Sequence, residues 1–226
     1  MIVRIPGLLD AQPLAAIDAL LHEASWEDGR ATAGFQSSQV KHNQQLGQDS
    51  TAARQAGEII LRALERHPDF ISAALPRHVY PPLFNRYEPG MAFGNHVDNA
   101  VRQIPGTHHR LRTDVSATLF LSPPGDYDGG ELVVEDTFGT HAVKLGAGDL
   151  VIYPASSLHR VEPVTRGARL AAFFWVQSMV RDDGDRATLF EIDTVIRELT
   201  ASGADGGALL RLTACYHNLL RRWAEV

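Results

Sequence analysis

Cys215 is the only cysteine in 226 residues, so the chain can form neither an internal disulfide framework nor a thiolate-cluster metal site of the zinc-ribbon kind. Any metal it holds must be bound through nitrogen and oxygen. Basic residues are outnumbered, 21 Lys and Arg against 27 Asp and Glu, for a formal net charge of −6. With no basic excess to gather phosphate, nucleic acid is not an expected partner. Long apolar runs are missing as well. No stretch reaches the length of a membrane span, and the first nine residues lack the basic cluster and apolar core of a signal peptide. The expectation is a soluble, cytoplasmic protein with no membrane partner. The 44% of hydrophobic residues suffices, at this length, for one sizeable core.

The apolar periodicity changes twice along the chain. Asp10 is placed to cap a helix reaching to about Ala24, over which Leu14, Ile17, Leu20 and Leu21 recur at helical spacing. A polar, glycine-containing stretch follows over 29–50. Helical spacing returns over 51–66 through Ala56, Ile59, Ile60, Ala63 and Leu64, so segment 1–77 reads as mostly helical. From His78 the texture becomes short β-rich runs, at 83–87, 115–121, 131–134, 142–145, 150–153, 159–164 and 170–176. Breakers such as Glu88-Pro89-Gly90, Asp128-Gly129-Gly130 and Gly146-Ala147-Gly148-Asp149 fall between them. Many short strands with such punctuation predict a sandwich, jelly roll or barrel over 78–178. Helical periodicity resumes over 179–226, where a turn at Ser202 to Gly207 separates two helices. The fold class is therefore α+β, a β-domain flanked by N-terminal and C-terminal helices. Leu209, Leu212, Tyr216, Leu219 and Leu220 predict an apolar face that docks on the β-core or on a second subunit in a homo-oligomer.

His96-Val97-Asp98 sets an imidazole and a carboxylate two positions apart, and on an extended segment such side chains share a face. A third ligand has to come from a distant strand, and His159 opens one of the β-like runs. Two imidazoles and one carboxylate on one side of a metal leave the opposite side open. Non-haem iron(II) oxygenases, which take co-substrate and dioxygen together, use this arrangement. His-x-Asp alone is also common by chance at turns and on surfaces. Arg169 adds weight: it starts the run Arg169-Leu170-Ala171-Ala172-Phe173-Phe174-Trp175-Val176, on the face of Ala171, Phe173 and Trp175. A guanidinium among apolar groups needs an anionic partner. A dicarboxylate co-substrate supplies one, its keto-acid end on iron and its far carboxylate on the planar fork. An exposed arginine, or one paired with a neighbouring acid, is the alternative. Of the other histidines, His22, His67 and His217 sit in helical or helix-end segments, while His108, His109 and His141 are weaker alternative ligands. The turns at Asp128-Gly129-Gly130 and Gly148-Asp149 have sufficient structural roles of their own.

In chain order the motifs are Asn85-Arg86-Tyr87, His96-Val97-Asp98, Arg112-Thr113-Asp114-Val115-Ser116-Ala117-Thr118-Leu119-Phe120-Leu121, Asp126-Tyr127-Asp128-Gly129-Gly130-Glu131-Leu132, Gly148-Asp149-Leu150-Val151-Ile152-Tyr153-Pro154 and Leu158-His159-Arg160-Val161. Carrying these, the chain resembles, over nearly its whole length, the PKHD-type hydroxylases (prolyl and lysyl hydroxylase-like), especially the bacterial PiuC/YbiX-like group associated with iron uptake. The resemblance implies a double-stranded β-helix core of jelly-roll, cupin-like form. It implies Fe(2+) at His96, Asp98 and His159, 2-oxoglutarate at Arg169, and L-ascorbate as an accessory reductant. Similarity to prolyl hydroxylases makes Tyr87 a candidate second donor to the co-substrate, with a core aromatic role as its alternative.

The implied reaction hydroxylates a substrate with O2 while 2-oxoglutarate is decarboxylated to succinate and CO2, with a link to iron uptake or homeostasis. A carboxylate at Asp98 fits hydroxylation, since a halogenase needs that position vacant for halide. Two other readings stay open: a cupin-like zinc or manganese hydrolase or isomerase, and a non-catalytic module sensing iron or a small acid. The loops at 34–48 and 99–111 are expected to set specificity. A peptidyl side chain, a free amino acid and a siderophore-related small molecule all fit as substrates.

Overall fold

The computed structural model describes residues 1–32, 37–137 and 139–226. The N-terminal part contains β1 (Val3–Ile5), α1 (Ala11–His22), β2 (Trp26–Asp28), α2 (Ser37–Val40), β3 (Lys41–His42), β4 (Gln44–Leu46), α3 (Thr51–Leu64) and α4 (Pro68–Ala74). Then come β5 (Pro76–Val79), β6 (Leu83–Tyr87), β7 (Ala92–His96), β8 (Val101–Gln103), β9 (Arg110–Arg112) and β10 (Val115–Phe120). The chain continues through β11 (Asp128–Gly129), β12 (Leu132–Asp136), β13 (Gly139–Val143), β14 (Leu150–Pro154), β15 (His159–Val161), β16 (Val164–Arg166) and β17 (Arg169–Ser178). It closes with α5 (Asp183–Ala201) and α6 (Gly206–Trp223).

Helix starts follow their caps. Asp10, Ser50, Asp182 and Asp205 each accept a hydrogen bond from a backbone N–H of the first turn of α1, α3, α5 and α6, satisfying a donor that the helix itself cannot. The strands form two main antiparallel sheets. The larger runs β1-β14-β10-β17-β6-β4-β2, with β5 also on β17; the smaller runs β13-β12-β15-β7-β3. Alternation along each strand divides the larger sheet's two faces. Ala117, Leu119, Ile152, Ala172 and Phe174 pack on one face against Ile17, Ile60, Leu64 and Phe70 of the helices. On the other face Tyr87, Phe120, Val151 and Tyr153 meet Leu132, Val134 and Val161 of the smaller sheet. This is the double-stranded β-helix architecture, with its functional space between the sheets.

The structure departs from the periodicity in places with identifiable causes. The first third is less helical than expected: β1, β2, β3 and β4 join the sheets from within it. At two or three residues each they are too short to show an alternation. Part of the 34–48 loop, up to residue 36, lies outside the described residues, and its remainder includes α2, β3 and β4. The single run expected over 159–164 is two strands, β15 and β16, separated at Glu162-Pro163, where proline has no N–H to give a ladder. The 99–111 loop is largely the β8–β9 hairpin. At the C-terminus, Leu75, Val180 and Leu189 pack with Tyr216, Leu219, Leu220 and Trp223, so this part of the apolar face of α6 docks within the chain, on α5 and the segments beside it rather than on the β-core; Leu209 and Leu212 are not in this cluster. Among the described residues no helix is long and apolar enough to cross a membrane.

Gly148 joins these layers. Its φ of +93° lies in the left-handed region, and a Cβ there would lie 2.4 Å from the Leu9 carbonyl oxygen. Its own N–H and C=O bond Phe120 and Leu9. Gly148→Ala is therefore expected to cost roughly 2 kcal/mol or more through clash and backbone strain, lowering the thermal midpoint by roughly 4–8 °C. Gly106→Ala has a similar φ of +71° but no atom within 4 Å of its Cβ, and should lose clearly less. Calorimetric melts of both variants check the difference.

Candidate active site

The antiparallel pairing of β15 with β7 sets His159 directly opposite His96. His96 is the last residue of β7 and Asp98 lies two positions on, turned back to the same space. The imidazole centroids are 4.1 Å apart, and His159 Nε2 is 3.8 Å from Asp98 Oδ2. One ligating atom from each of the three lies within 4.8 Å of the others, the one such group among the described residues. His141 instead pairs with Asp136, and His108 and His109 are exposed near the β8–β9 turn.

Each imidazole is oriented by its own backbone. His96 Nδ1 lies 2.8 Å from the Gly94 carbonyl oxygen and His159 Nδ1 3.0 Å from that of Ser157. A carbonyl only accepts, so each Nδ1 carries the hydrogen and each Nε2 keeps its lone pair for a metal. Asp98 Oδ2 accepts from Ser116 Oγ at 2.5 Å. Burial, reinforced by the neighbouring His159, pushes the His96 imidazole down to about 4, so it is neutral around pH 7 as metal ligation requires.

Arg169 occupies the closed end of the same cavity. It is 1% exposed, and Nε, Nη1 and Nη2 have no hydrogen-bond partner among the described residues. Its guanidinium faces the Tyr87 and Phe120 rings at 5.4 and 5.2 Å. The Tyr87 and Tyr127 hydroxyls are close enough for its charge to bear on their titration, but neither reaches hydrogen-bonding geometry with it. Tyr87 is both a core aromatic and a wall of the cavity, its hydroxyl pushed up to about 12 chiefly by burial. Gly130 makes room here, because a Cβ at that position would lie 3.0 Å from Arg169 Cδ. The glycine turn read as purely structural thus shapes the pocket. A buried guanidinium left unpaired costs several kcal/mol, so the pocket suits an anion.

The cavity spans about 740 Å³ including its open mouth. Its walls also carry Lys41, Asn43, Arg102 and Ser116, none singled out by motif reasoning. Ser116 lies inside the run from Arg112 to Leu121, but nothing in the sequence says that it reaches Asp98. Lys41 opens β3 and Asn43 joins β3 to β4, strands too brief to display a pattern. Burial, then the charge of Arg102, pushes the Lys41 ammonium down to about 8.

Residues 82–177 match the model of the 2OG-Fe(II) oxygenase superfamily, and residues 183–225 match the PKHD-type hydroxylase C-terminal domain. A curated PKHD-type hydroxylase of Rhizorhabdus wittichii is 61% identical and one of Paraburkholderia phymatum 59% identical, each over the full length of both chains. Among solved structures, a Trichoplax adhaerens prolyl hydroxylase in complex with a peptide of hypoxia inducible factor superposes with a TM-score of 0.58. It is 13% identical and the match covers 83% of this chain and 86% of that one. That likeness is one of fold.

The buried, neutral His96 makes the stability of the metal-free protein pH-dependent. Unfolded, its imidazole takes a proton near its ordinary value of about 6.5; folded, it resists down to about 4. The unfolded state therefore binds more protons between these limits, so stability is full above about 6.5 and falls as pH drops toward about 4. Urea melts of chelator-treated protein should show a loss on the order of 1–2 kcal/mol between pH 7.5 and pH 5. His96→Gln should remove part of that loss; an unchanged dependence would place the titration elsewhere.

Proposed function

Because the chain belongs to the PKHD-type hydroxylases of the 2OG-Fe(II) oxygenase superfamily, a family that implies Fe(2+) and 2-oxoglutarate, we propose that His96, Asp98 and His159 hold the iron and Arg169 the distal carboxylate of the co-substrate. The observation that carries this reading is the buried guanidinium, three unpartnered nitrogens in the same cavity as two imidazoles and a carboxylate. Membership in an oxygenase family sets aside the hydrolase, isomerase and sensing-module alternatives.

When bound, iron(II) and 2-oxoglutarate supply the oxidising chemistry, in which O2 is consumed, succinate and CO2 are released and the substrate gains a hydroxyl. The protein's own residues do the rest. The Gly94 and Ser157 carbonyls hold each imidazole with Nε2 inward, and Ser116 fixes the rotation of the Asp98 carboxylate. Arg169 receives the far carboxylate in a pocket closed by Tyr87, Phe120 and Tyr127, where exclusion of water strengthens paired hydrogen bonds. Tyr87 stands as a second donor to that carboxylate, its hydroxyl held protonated chiefly by burial. L-Ascorbate serves as accessory reductant. The substrate is a peptidyl side chain, a free amino acid or a siderophore-related small molecule, the last in keeping with a role in iron uptake.

Replacing His96, Asp98 or His159 with Ala should sharply weaken iron(II) binding and abolish succinate formation while circular dichroism stays near wild type. Arg169 is tested separately. Arg169→Ala leaves a buried carboxylate unpaired, a loss of roughly 2–5 kcal/mol, or between one and several decades in the 2-oxoglutarate dissociation constant. Iron affinity should hardly change. Arg169→Lys keeps the charge without the planar fork and should recover part of the loss. Anaerobic titration of 2-oxoglutarate into iron-loaded protein decides it: equal affinity for wild type and Arg169→Ala removes the assignment.

A further inference from the structure

The β8–β9 hairpin is basic in an acidic chain. Residues 99–112 include Arg102, His108, His109, Arg110 and Arg112 and no Asp or Glu, while the whole chain has a formal net charge of −6. The two faces of the hairpin differ. Arg102, Ile104 and Leu111 turn inward onto Tyr80 and Trp175, with the Arg102 guanidinium carbon 4.0 Å from the Trp175 ring centroid. Val101 and Gln103 turn outward, opposite Arg112 and Arg110 in the pairing. Arg112 is engaged by Asp114 and Glu225, but Arg110 is exposed beside His108 and His109 and has no ion pair among the described residues.

The hairpin forms a sheet of its own, and one edge of it is open. Thr113 N–H donates to the Ala100 carbonyl and Ile104 N–H to that of His109, so residues 100, 102 and 104 are those that bond across to β9. In an antiparallel pair the residues between them send N–H and C=O the other way. Val101 and Gln103 therefore present two donors and two acceptors along the outer edge of β8, none of them bonded among the described residues. The edge of β9 is different, for there Arg112 N–H donates to Gln177 Oε1 of β17. Val101 comes three residues after Asp98, so the open edge starts within roughly 11 Å of that carboxylate's backbone. Asn99 and Arg102 beside it line the metal cavity. Val97 and Val101, 47% and 55% exposed, add apolar surface along the way.

An open edge of alternating donors and acceptors is matched in repeat by another extended peptide chain. Charge selects which chain. A second copy of this hairpin would set arginine against arginine, and a long polyanion such as nucleic acid would meet the acidic remainder of the protein. A short acidic segment meets the hairpin alone. We propose that the outer edge of β8 and the Arg110 face form a docking strip for an acidic polypeptide segment, which adds to the hairpin as a third strand and reaches the metal cavity as substrate. The substrate role rests on the reading above of His96, Asp98 and His159 as iron ligands; the docking does not.

Metal-free protein tests the docking. An alternating Thr-Glu decapeptide is the probe, with matched Thr-Gln and Thr-Lys decapeptides and a short DNA duplex for comparison. By fluorescence anisotropy the Thr-Glu peptide should bind about tenfold or more tighter than the Thr-Gln peptide, and rising salt should erode the difference. The Thr-Lys peptide should bind weakest. Amide exchange read by NMR reports on the edge in the unmutated protein: the Val101 and Gln103 N–H groups should exchange about tenfold more slowly at saturation, while those of Arg102 and Ile104, already in the ladder, hardly change. Arg110→Gln should reduce the preference for the acidic peptide severalfold and Arg110→Glu should remove it. Equal binding of the Thr-Glu and Thr-Gln peptides, a preference that survives Arg110→Glu, no slowing at Val101 and Gln103, or tighter binding of the duplex than of the Thr-Glu peptide each overturns the proposal. With manganese(II) bound in place of iron(II), the resonances of the docked peptide should broaden; sharp resonances on metal-loaded protein would remove the substrate role. Failure of the iron reading itself would show as unchanged metal affinity in His96→Ala, which leaves the metal-free docking result to stand or fall separately.

Discussion

The register between β15 and β7 is the constraint on which the site depends. Side chains alternate between faces with a period of two, so a slip of one residue would send His159 to the wrong face and leave His96 without its neighbour. The register is held on both sides: β15 pairs with β12, where Leu132 meets Val161 and Val134 meets His159, and β7 pairs with β3. Leu132, Val134 and Val161 belong to the core between the sheets. The burial that stabilises the fold therefore also fixes the imidazole pair.

A second division of labour runs along β17. Leu170, Ala172, Phe174 and Val176 pack with the helical layer, while Arg169, Phe173 and Trp175 line the cavity. Helices α1, α3 and α4 pack on the back of this sheet, and among the described residues none of theirs lines the cavity. Arg169 is thereby buried without a hydrogen-bond partner among the described residues, a cost that only an entering anion would offset. Gly130 contributes by having no side chain where the arginine's aliphatic stem passes.

Polar groups near His96, Asp98 and His159 are organised by proximity in the chain and by contact across it. His96 and His159 each bond a carbonyl two residues earlier, an orientation set locally by the strand ends. Asp98 instead depends on Ser116, which comes from β10 in the other sheet. The carboxylate is therefore positioned only once both sheets are assembled. Arg102 is similar, reaching Trp175 and Tyr80 from the β8–β9 hairpin.

Much of this was legible in the amino-acid sequence because it is local. Asp10 announces a helix, the run at 83–87 is β6 to the residue, and the spacing of His96 and Asp98 states that both can face one way. Arg169 at the head of an apolar alternation signals a charge that needs an anion. The strands of two or three residues, β2, β3 and β4, could not be read, because a pattern of period two has no statistical presence at that length; with them went Lys41 and Asn43. Partnership across the fold was also beyond sequence reasoning: Ser116 with Asp98, Gly130 beneath Arg169, Arg102 upon Trp175. Residue type and spacing determined which groups the chain has and which way each points along its own strand. Only the tertiary structure decided which groups meet, since sheet register and layer packing bring together residues whose separation along the chain carries no trace of their contact.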